Sequence, residues 1–156
     1  MKKLDPLLKE IEILIPKQEL LMEKVSTAAI GWHIEHSLLT INAIIDQLKR
    51  SNPADYKWKF NFTRTLVFTI NKILRGRAKA PKVVQPKSSI TLETLKLHFN
   101  STKENISALQ TMQANNHFEH PFFGKLNLKP ASKFLSLHTN HHLKIMKDIA
   151  KFSQKN

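Results

Sequence analysis

Apolar residues recur every three or four positions along most of this chain, and this spacing is the feature that most restricts its fold. The clearest case lies between Ser26 and Arg50. Its stripe is spaced 4-3-4-3-4 and consists of Ile30, Ile34, Ser37 as the polar member, Ile41, Ile44 and Leu48. Such spacing puts the stripe on one face of a helix. We predict a long helix over 26–50, capped by Ser26 and packed in a bundle.

The same spacing predicts the remaining helices. A short helix over 4–15 comes first, and further main helices follow at 60–74, 91–112 and 130–152. Residues 76–87 carry two prolines and four basic residues, which suits a long crossover connection, and 115–124 are expected to form a loop. Three glycines and one tyrosine are too few for a sandwich or barrel. The expected fold is an all-α four-helix bundle with one long crossover, forming a single domain over 1–156.

Composition and charge exclude several classes of function. The chain has no cysteine, which excludes a disulfide scaffold, a thiolate zinc site and a catalytic thiol. Its longest uncharged stretches, 25–34 and 36–45, fall short of the ~18 residues that a spanning helix needs. Charged residues soon after Met1 interrupt the apolar region of a signal peptide. We therefore expect a soluble, cytoplasmic protein without a membrane span.

The formal net charge is +13, and most of it lies in residues 49–87. This segment has one acid, Asp55, and eleven basic residues: Lys49, Arg50, Lys57, Lys59, Arg64, Lys72, Arg75, Arg77, Lys79, Lys82 and Lys87. Tyr56, Trp58 and Phe60 alternate with two of the lysines, a pattern found where bases stack or acidic lipid is bound. The simpler interpretation is a solvated basic face whose aromatic rings turn into the core. An anionic partner stays the alternative.

The histidines carry the strongest functional signal. Five of the eight fall in two clusters, His33 with His36 and His138 with His141 and His142. In the last helix His138 and His142 occupy the apolar stripe, where a bundle normally has leucine. Two neutral imidazoles four residues apart on one helix face can bind one metal ion. The alternative is a pair of hydrogen-bonded core histidines. Di-iron carboxylate chemistry is excluded because no Glu precedes a His by three residues.

The third ligand must come from the long helix. At ~100° per residue, His33 lies roughly 60° from the core direction and His36 roughly 120° from it. His33 is therefore the expected ligand, and His36, which should be more lateral, is the reserve. His141 lies one residue off the stripe and is expected to face solvent or to support the ligands. Three imidazoles leave coordination positions open for water or substrate, as in catalytic sites.

These motifs resemble a known family. Ser26 with Ile30-Gly31-Trp32-His33-Ile34, and far downstream His138-Thr139-Asn140-His141-His142-Leu143-Lys144, look like the DinB/YfiT-like superfamily of metalloenzymes. The segment His120-Pro121-Phe122-Phe123-Gly124-Lys125-Leu126 is similar to an uncharacterised branch of that superfamily. The resemblance implies a DinB-like four-helix bundle with His33, His138 and His142 as metal ligands. Family members often have Arg and Gln shortly after the last ligand, where this chain has Leu143-Lys144-Ile145.

Characterised members of the family include thiol S-transferases and a thiol-dependent isomerase. We therefore expect a metal-dependent enzyme, a thiol-dependent transferase or a hydrolase, that holds one divalent transition metal, with Zn, Ni or Fe preferred over Mg or Ca. Its expected substrate is a small molecule, anionic or thiol-containing. Glu119, between His117 and His120, is a weaker candidate for a general base. The alternative function is a basic, non-catalytic binding module; nucleic acid is not the expected partner, and a homodimer is compatible with the sequence.

Overall fold

The computed structural model describes residues 4–76, 80–87 and 89–153. This part of the chain is mostly helical, as the apolar spacing predicts, with one small β-hairpin. The helices are α1 (Asp5–Leu14), α2 (Ile30–Arg50), α3 (Phe62–Ile70), α4 (Leu92–Ile106) and α5 (Leu128–Ser153), and the strands are β1 (His117–His120) and β2 (Gly124–Asn127).

Four of the helices, α1, α2, α4 and α5, share one hydrophobic core. Helix α2 packs against both α4 and α5, and α5 also contacts α1. Fully buried side chains on these helices include Ile11, Ile34, Leu38, Ile41, Leu95, Phe99, Leu135 and Leu143. Each such side chain contributes about 1.5–3 kcal/mol through burial. The core therefore fixes how α2 and α5 face each other.

The start of α2 differs from the prediction. The helix is capped at Ala29 rather than Ser26, so the predicted N-cap is wrong. The preceding chain is held in an irregular path instead, because the Gly31 amide donates to the Gln18 carbonyl at 2.8 Å. A β-carbon at residue 31 would lie only 3.0 Å from that same oxygen, so glycine allows the close approach. Ser26 is thereby left outside the helix, beside its first turn.

The helix predicted over 60–74 is too long. Helix α3 ends at Ile70, is followed by Asn71 in a left-handed conformation, and has no buried residue. It is held partly by polar contacts: the Arg64 guanidinium donates to the Phe123 and Lys125 carbonyls, and the Lys133 ammonium to that of Phe68. Its apolar stripe therefore contributes little to the shared core.

Residues 117–127 form an antiparallel hairpin, so the loop predicted over 115–124 is wrong over His117–His120, which form β1. The paired residues Phe118 and Leu126 are both buried and anchor the hairpin to the core. At the turn, the Nδ1 atom of His120 accepts hydrogen bonds from the backbone amides of Phe122 and Phe123, at 3.1 and 3.3 Å. The hairpin leads directly into α5.

The predicted long connection, 76–87, lies partly outside the described residues, since 77–79 are not among them. Its second part contains a 3-10 turn, Lys82–Val84, whose last residue, Val84, is buried against α2. None of the helices in the described ranges is both long enough and apolar enough to cross a membrane.

Candidate metal centre

The packing of α2 on α5 brings four imidazoles together. His33 and His36 come from α2, and His138 and His142 from α5. The His142 ring contacts both α2 histidines, with ring centroids 5.3 Å from His33 and 4.6 Å from His36. Residues more than one hundred positions apart in the sequence thus form one cluster of donor atoms.

Three of these histidines have the arrangement of a metal site. One ring nitrogen each from His36, His138 and His142 lies within 4.8 Å of the other two. The Nε2 atoms of His36 and His138 are 3.2 Å apart. Two nitrogens bound tetrahedrally at ~2.0–2.1 Å from one zinc ion are separated by about 3.3 Å. The observed spacing therefore fits a shared ion.

The tautomer of His36 is fixed by its backbone neighbour. Its Nδ1 atom lies 2.7 Å from the Val84 carbonyl oxygen, which can only accept, so Nδ1 carries the proton. In the neutral ring the Nε2 atom then has a lone pair that points towards His138. A hydrogen bond of this kind to a carbonyl is the usual support of a metal-binding histidine. The ring of Trp32 stacks on His36 at 5.0 Å and restricts its rotation.

His33 lies directly behind His142. Their Nδ1 atoms are 3.0 Å apart, and the Nε2 atom of His33 is 3.0 Å from the Ser26 hydroxyl oxygen. That hydroxyl also accepts a hydrogen bond from the Ala28 amide. Both ring nitrogens of His33 therefore have partners, in a chain that runs from His142 through His33 to Ser26.

The four imidazoles are neutral at pH 7. Burial lowers the pKa of His33 to about 4, with the nearby His36 adding to the effect. Burial also lowers the pKa of His36, although its bond to the Val84 carbonyl opposes this, and it holds the pKa of His138 and His142 well below the usual value. Neutral imidazole is the form that binds metal. Metal binding therefore displaces no proton from a charged ring.

The flank of α2 on which His36 lies is not open to solvent. His36 is only 3 % exposed, although Ile34 and Ile41 on the same helix stay buried as well. Helix α2 is covered on more than one side, because the turn containing Val84 packs over the flank where His36 lies. His33 is buried too, so both candidates of α2 reach the cluster. His141 is half-buried and donates from Nδ1 to the Ile73 carbonyl at 3.1 Å, beside the cluster but outside the group of three.

The centre opens into a cavity of about 1010 Å³. Its histidine end includes all four clustered imidazoles and His141, and its walls come from α3, the hairpin and the Val84 turn. Glu119 lines the cavity from the hairpin, on an exposed side chain. His120 is also at the wall, while the Nδ1 atom of His117 is engaged with the Asn115 carbonyl. The apolar walls and the cavity itself were not foreseen from the sequence.

Two of the three aromatic residues that alternate with lysines in the basic segment, Trp58 and Phe60, do not turn into the core, and the third, Tyr56, is half-buried. Trp58 and Phe60 are 66 % and 67 % exposed, which corrects the simpler interpretation of this segment. The Arg64 guanidinium lies over the Trp58 ring at 5.8 Å, a cation–π contact. Lys57 and Lys59, between these aromatic residues, are exposed as well. Arg77 and Lys79 of the same segment lie outside the described residues.

The chain matches no family model, no curated protein and no solved structure. The resemblance to the DinB/YfiT-like superfamily therefore stays a prediction carried by the histidine pattern. The mostly helical architecture and the close approach of three buried or half-buried histidines are independent of it.

Proposed function

We propose that the protein binds one divalent transition metal ion through His36, His138 and His142. One observation carries the proposal: the Val84 carbonyl fixes the His36 tautomer and leaves a lone pair on its Nε2 atom, which lies 3.2 Å from the Nε2 atom of His138. An ion would take up both lone pairs, and His142 supplies the third nitrogen. Imidazole donors without thiolate favour Zn, Ni or Fe, with Cu also suited, over Mg or Ca.

His33 has a different role in this proposal. Its Nδ1 atom accepts a hydrogen bond from the Nδ1–H group of His142, and its own Nε2–H group then donates to the Ser26 hydroxyl oxygen. We assign it to orienting His142 so that the Nε2 atom of that ring faces the ion. This assignment departs from the ligand set that the family resemblance implies, in which His33 binds the metal and His36 does not.

The proposed function is that of a metal-dependent enzyme in the cytoplasm. Three protein ligands leave coordination positions open, which is typical of catalytic and not of closed structural sites. A metal bound here supplies Lewis acidity, or lowers the pKa of a ligand such as a thiol. The adjoining cavity gives a small-molecule substrate direct access to the centre. A thiol-dependent transferase or a hydrolase of DinB-like type fits these features.

Metal stoichiometry in two matched variants tests the proposal. His138 and His141 are neighbouring imidazoles of α5, but only His138 belongs to the group of three. We expect untagged wild-type protein and His141→Ala to bind one cobalt(II) or zinc ion per chain, and His138→Ala to lose stoichiometric binding. Elemental analysis and the visible absorption of cobalt(II) report the result. Equal loss in both variants, or no binding to wild type, would contradict the proposal.

A second candidate function rests on the exposed aromatic residues. Trp58 and Phe60 project into solvent between exposed lysines, an arrangement that suits stacking of unpaired bases beside a phosphate backbone. The protein would then be a basic binding module in which the histidines are structural. The salt dependence of single-stranded DNA binding tests this candidate.

A further inference from the structure

Several large apolar side chains that line the cavity are exposed to solvent. Leu66, Ile70, Leu74, Val83 and Phe122 all line the cavity, and each is 46–70 % exposed. Grouped apolar residues that remain in contact with water typically mark a binding site. The cavity is also at the upper end of the ~300–1,000 Å³ range of small-molecule sites. Its walls therefore suit an extended apolar group.

Helix α3 forms one wall of the cavity, and its inner face is the one that lines it. Leu66 and Ile70 lie one turn apart on this face. Thr65 of the same helix is exposed and does not line the cavity, and at ~100° per residue it points roughly 100–140° away from them. Nine residues of helix with no buried side chain contribute little to the core. The presence of apolar residues on its inner face is explained if a ligand covers them.

The basic groups at the cavity lie where α5 meets residues 72–75 of the basic segment. Lys72 lines the cavity and directly precedes Ile73, whose carbonyl accepts the hydrogen bond from His141. Lys144 also lines the adjoining recess at His141, as does Arg75, which is paired with Asp148 at 2.7 Å. Glu119 is the acidic residue among the lining residues, and it comes from the hairpin. Positive charge therefore predominates at the histidine end near His141.

We propose that the cavity binds an amphiphilic aliphatic carboxylate. Its chain lies against Leu66, Ile70 and Phe122, and its carboxylate lies at the histidine end near Lys72. The chain position follows from the apolar walls alone. The preference for a carboxylate rests in part on the proposed function, since a divalent ion held by neutral imidazoles adds two positive charges at that end.

Decanoate, decanol and hexanoate are suitable probes. The chain contains two tryptophans, Trp32 in the cavity wall and Trp58 on the exposed segment, so Trp58→Phe leaves Trp32 as the reporter of cavity binding. We expect decanoate to bind zinc-loaded protein at one equivalent per chain and to shift Trp32 emission. Hexanoate should bind at least tenfold more weakly, because about 0.8 kcal/mol is lost for each methylene removed from an apolar contact. Isothermal titration calorimetry gives the affinities.

Two pairs of variants locate the ligand. Ile70→Glu should weaken decanoate at least tenfold, while its control on the outer face of the same helix, Thr65→Glu, should change the affinity less than twofold. Both side chains are exposed, and circular dichroism checks that both variants fold. Lys72→Gln should weaken decanoate several-fold and leave decanol unchanged, and Lys82→Gln, on an exposed lysine, should affect neither.

The results separate this inference from the metal proposal. If zinc does not bind but decanol and decanoate still bind with sensitivity to Ile70→Glu, the metal proposal fails and the cavity assignment stands. Binding of zinc without saturable binding of decanoate or decanol overturns the inference and leaves the metal proposal intact. Equal loss in Ile70→Glu and Thr65→Glu would place the probe outside the cavity and also overturn it. Equal affinities of decanoate and decanol for zinc-loaded protein would overturn the carboxylate assignment.

Discussion

At the scale of single residues, the centre depends on hydrogen bonds that fix ring orientation. The Val84 carbonyl determines which nitrogen of His36 is free, and His33 stands behind His142. Loss of a direct ligand and loss of a supporting hydrogen bond have different consequences. Removal of an outer partner of a metal-binding histidine lowers metal affinity by about 10- to 100-fold.

This difference gives a prediction for the two histidines of α2. His36→Ala should lower zinc affinity by well over 100-fold, whereas His33→Ala should lower it by about 10- to 100-fold. Competition with a chromogenic chelator measures both affinities, and His117→Ala, in the hairpin, serves as the control without effect. A larger loss in His33→Ala than in His36→Ala would favour the ligand set of His33, His138 and His142.

At the scale of elements, apolar spacing identifies most of the helices but not what each one packs against. The stripe from Leu66 to Leu74 has the spacing of a core helix, yet it faces a cavity, and the sequence contains no signal that distinguishes the two. The hairpin is missed because each strand has four residues, and β1 has one fully buried residue, Phe118, too few for a period of two to emerge.

The histidine pair of α5 could be predicted from the sequence, because His138 and His142 interrupt a regular apolar stripe. The role of His36 could not. Its burial depends on Val84, which is 48 residues further along the chain. Val84 lies within a proline-containing connection that has no periodic pattern. A calculation of helix phase treats α2 as buried on one face only, and that assumption fails where a second segment covers its flank.

The hairpin gives a prediction about acid stability. The His120 ring stacks on Phe123 at 4.3 Å, and its Nδ1 atom accepts two backbone hydrogen bonds that a protonated ring cannot accept. Burial lowers its pKa from 6.5 to about 4. The unfolded chain therefore binds a proton more readily, and the stability that His120 contributes above pH 6.5 is lost as the pH falls towards 4.

Comparison with His120→Asn isolates this effect, because the asparagine side chain can accept a hydrogen bond in the same turn without titrating. Between pH 7 and pH 4.5, the wild type should lose about 1–2 kcal/mol more unfolding free energy than His120→Asn, after discounting for the solvent contact of the ring. Urea denaturation of both proteins at the two pH values gives the difference. Equal losses would show that the pKa of His120 is the same in the folded and the unfolded chain, which would contradict this prediction.

At the scale of the whole molecule, the histidine centre, the apolar cavity and the basic segment adjoin one another. The net charge of +13 and the exposed Trp58 and Phe60 favour an encounter with anionic molecules. The proposed enzyme uses this charge to attract a small anionic substrate, whereas the alternative binding module uses it to hold a polyanion. The two differ in how tightly a nucleic acid should bind.

Salt dependence separates these two functions. We expect single-stranded DNA to bind weakly and without sequence preference at low salt, and hardly at all at physiological salt, because such binding depends on release of condensed counterions. Fluorescence anisotropy with a labelled oligonucleotide measures it, and the double variant Trp58→Ala with Phe60→Ala tests the stacking surface. Tight, sequence-dependent binding at physiological salt that the double variant abolishes would favour the binding module.

The most direct test of the central claim is anomalous diffraction at the zinc edge from a crystal of zinc-loaded protein. The account predicts one strong anomalous peak per chain, with nitrogen atoms of His36, His138 and His142 at ~2.0–2.1 Å from it and His33 hydrogen-bonded behind His142. Absence of a peak between α2 and α5, or a peak with His36, His138 or His142 beyond ligand distance, would contradict it.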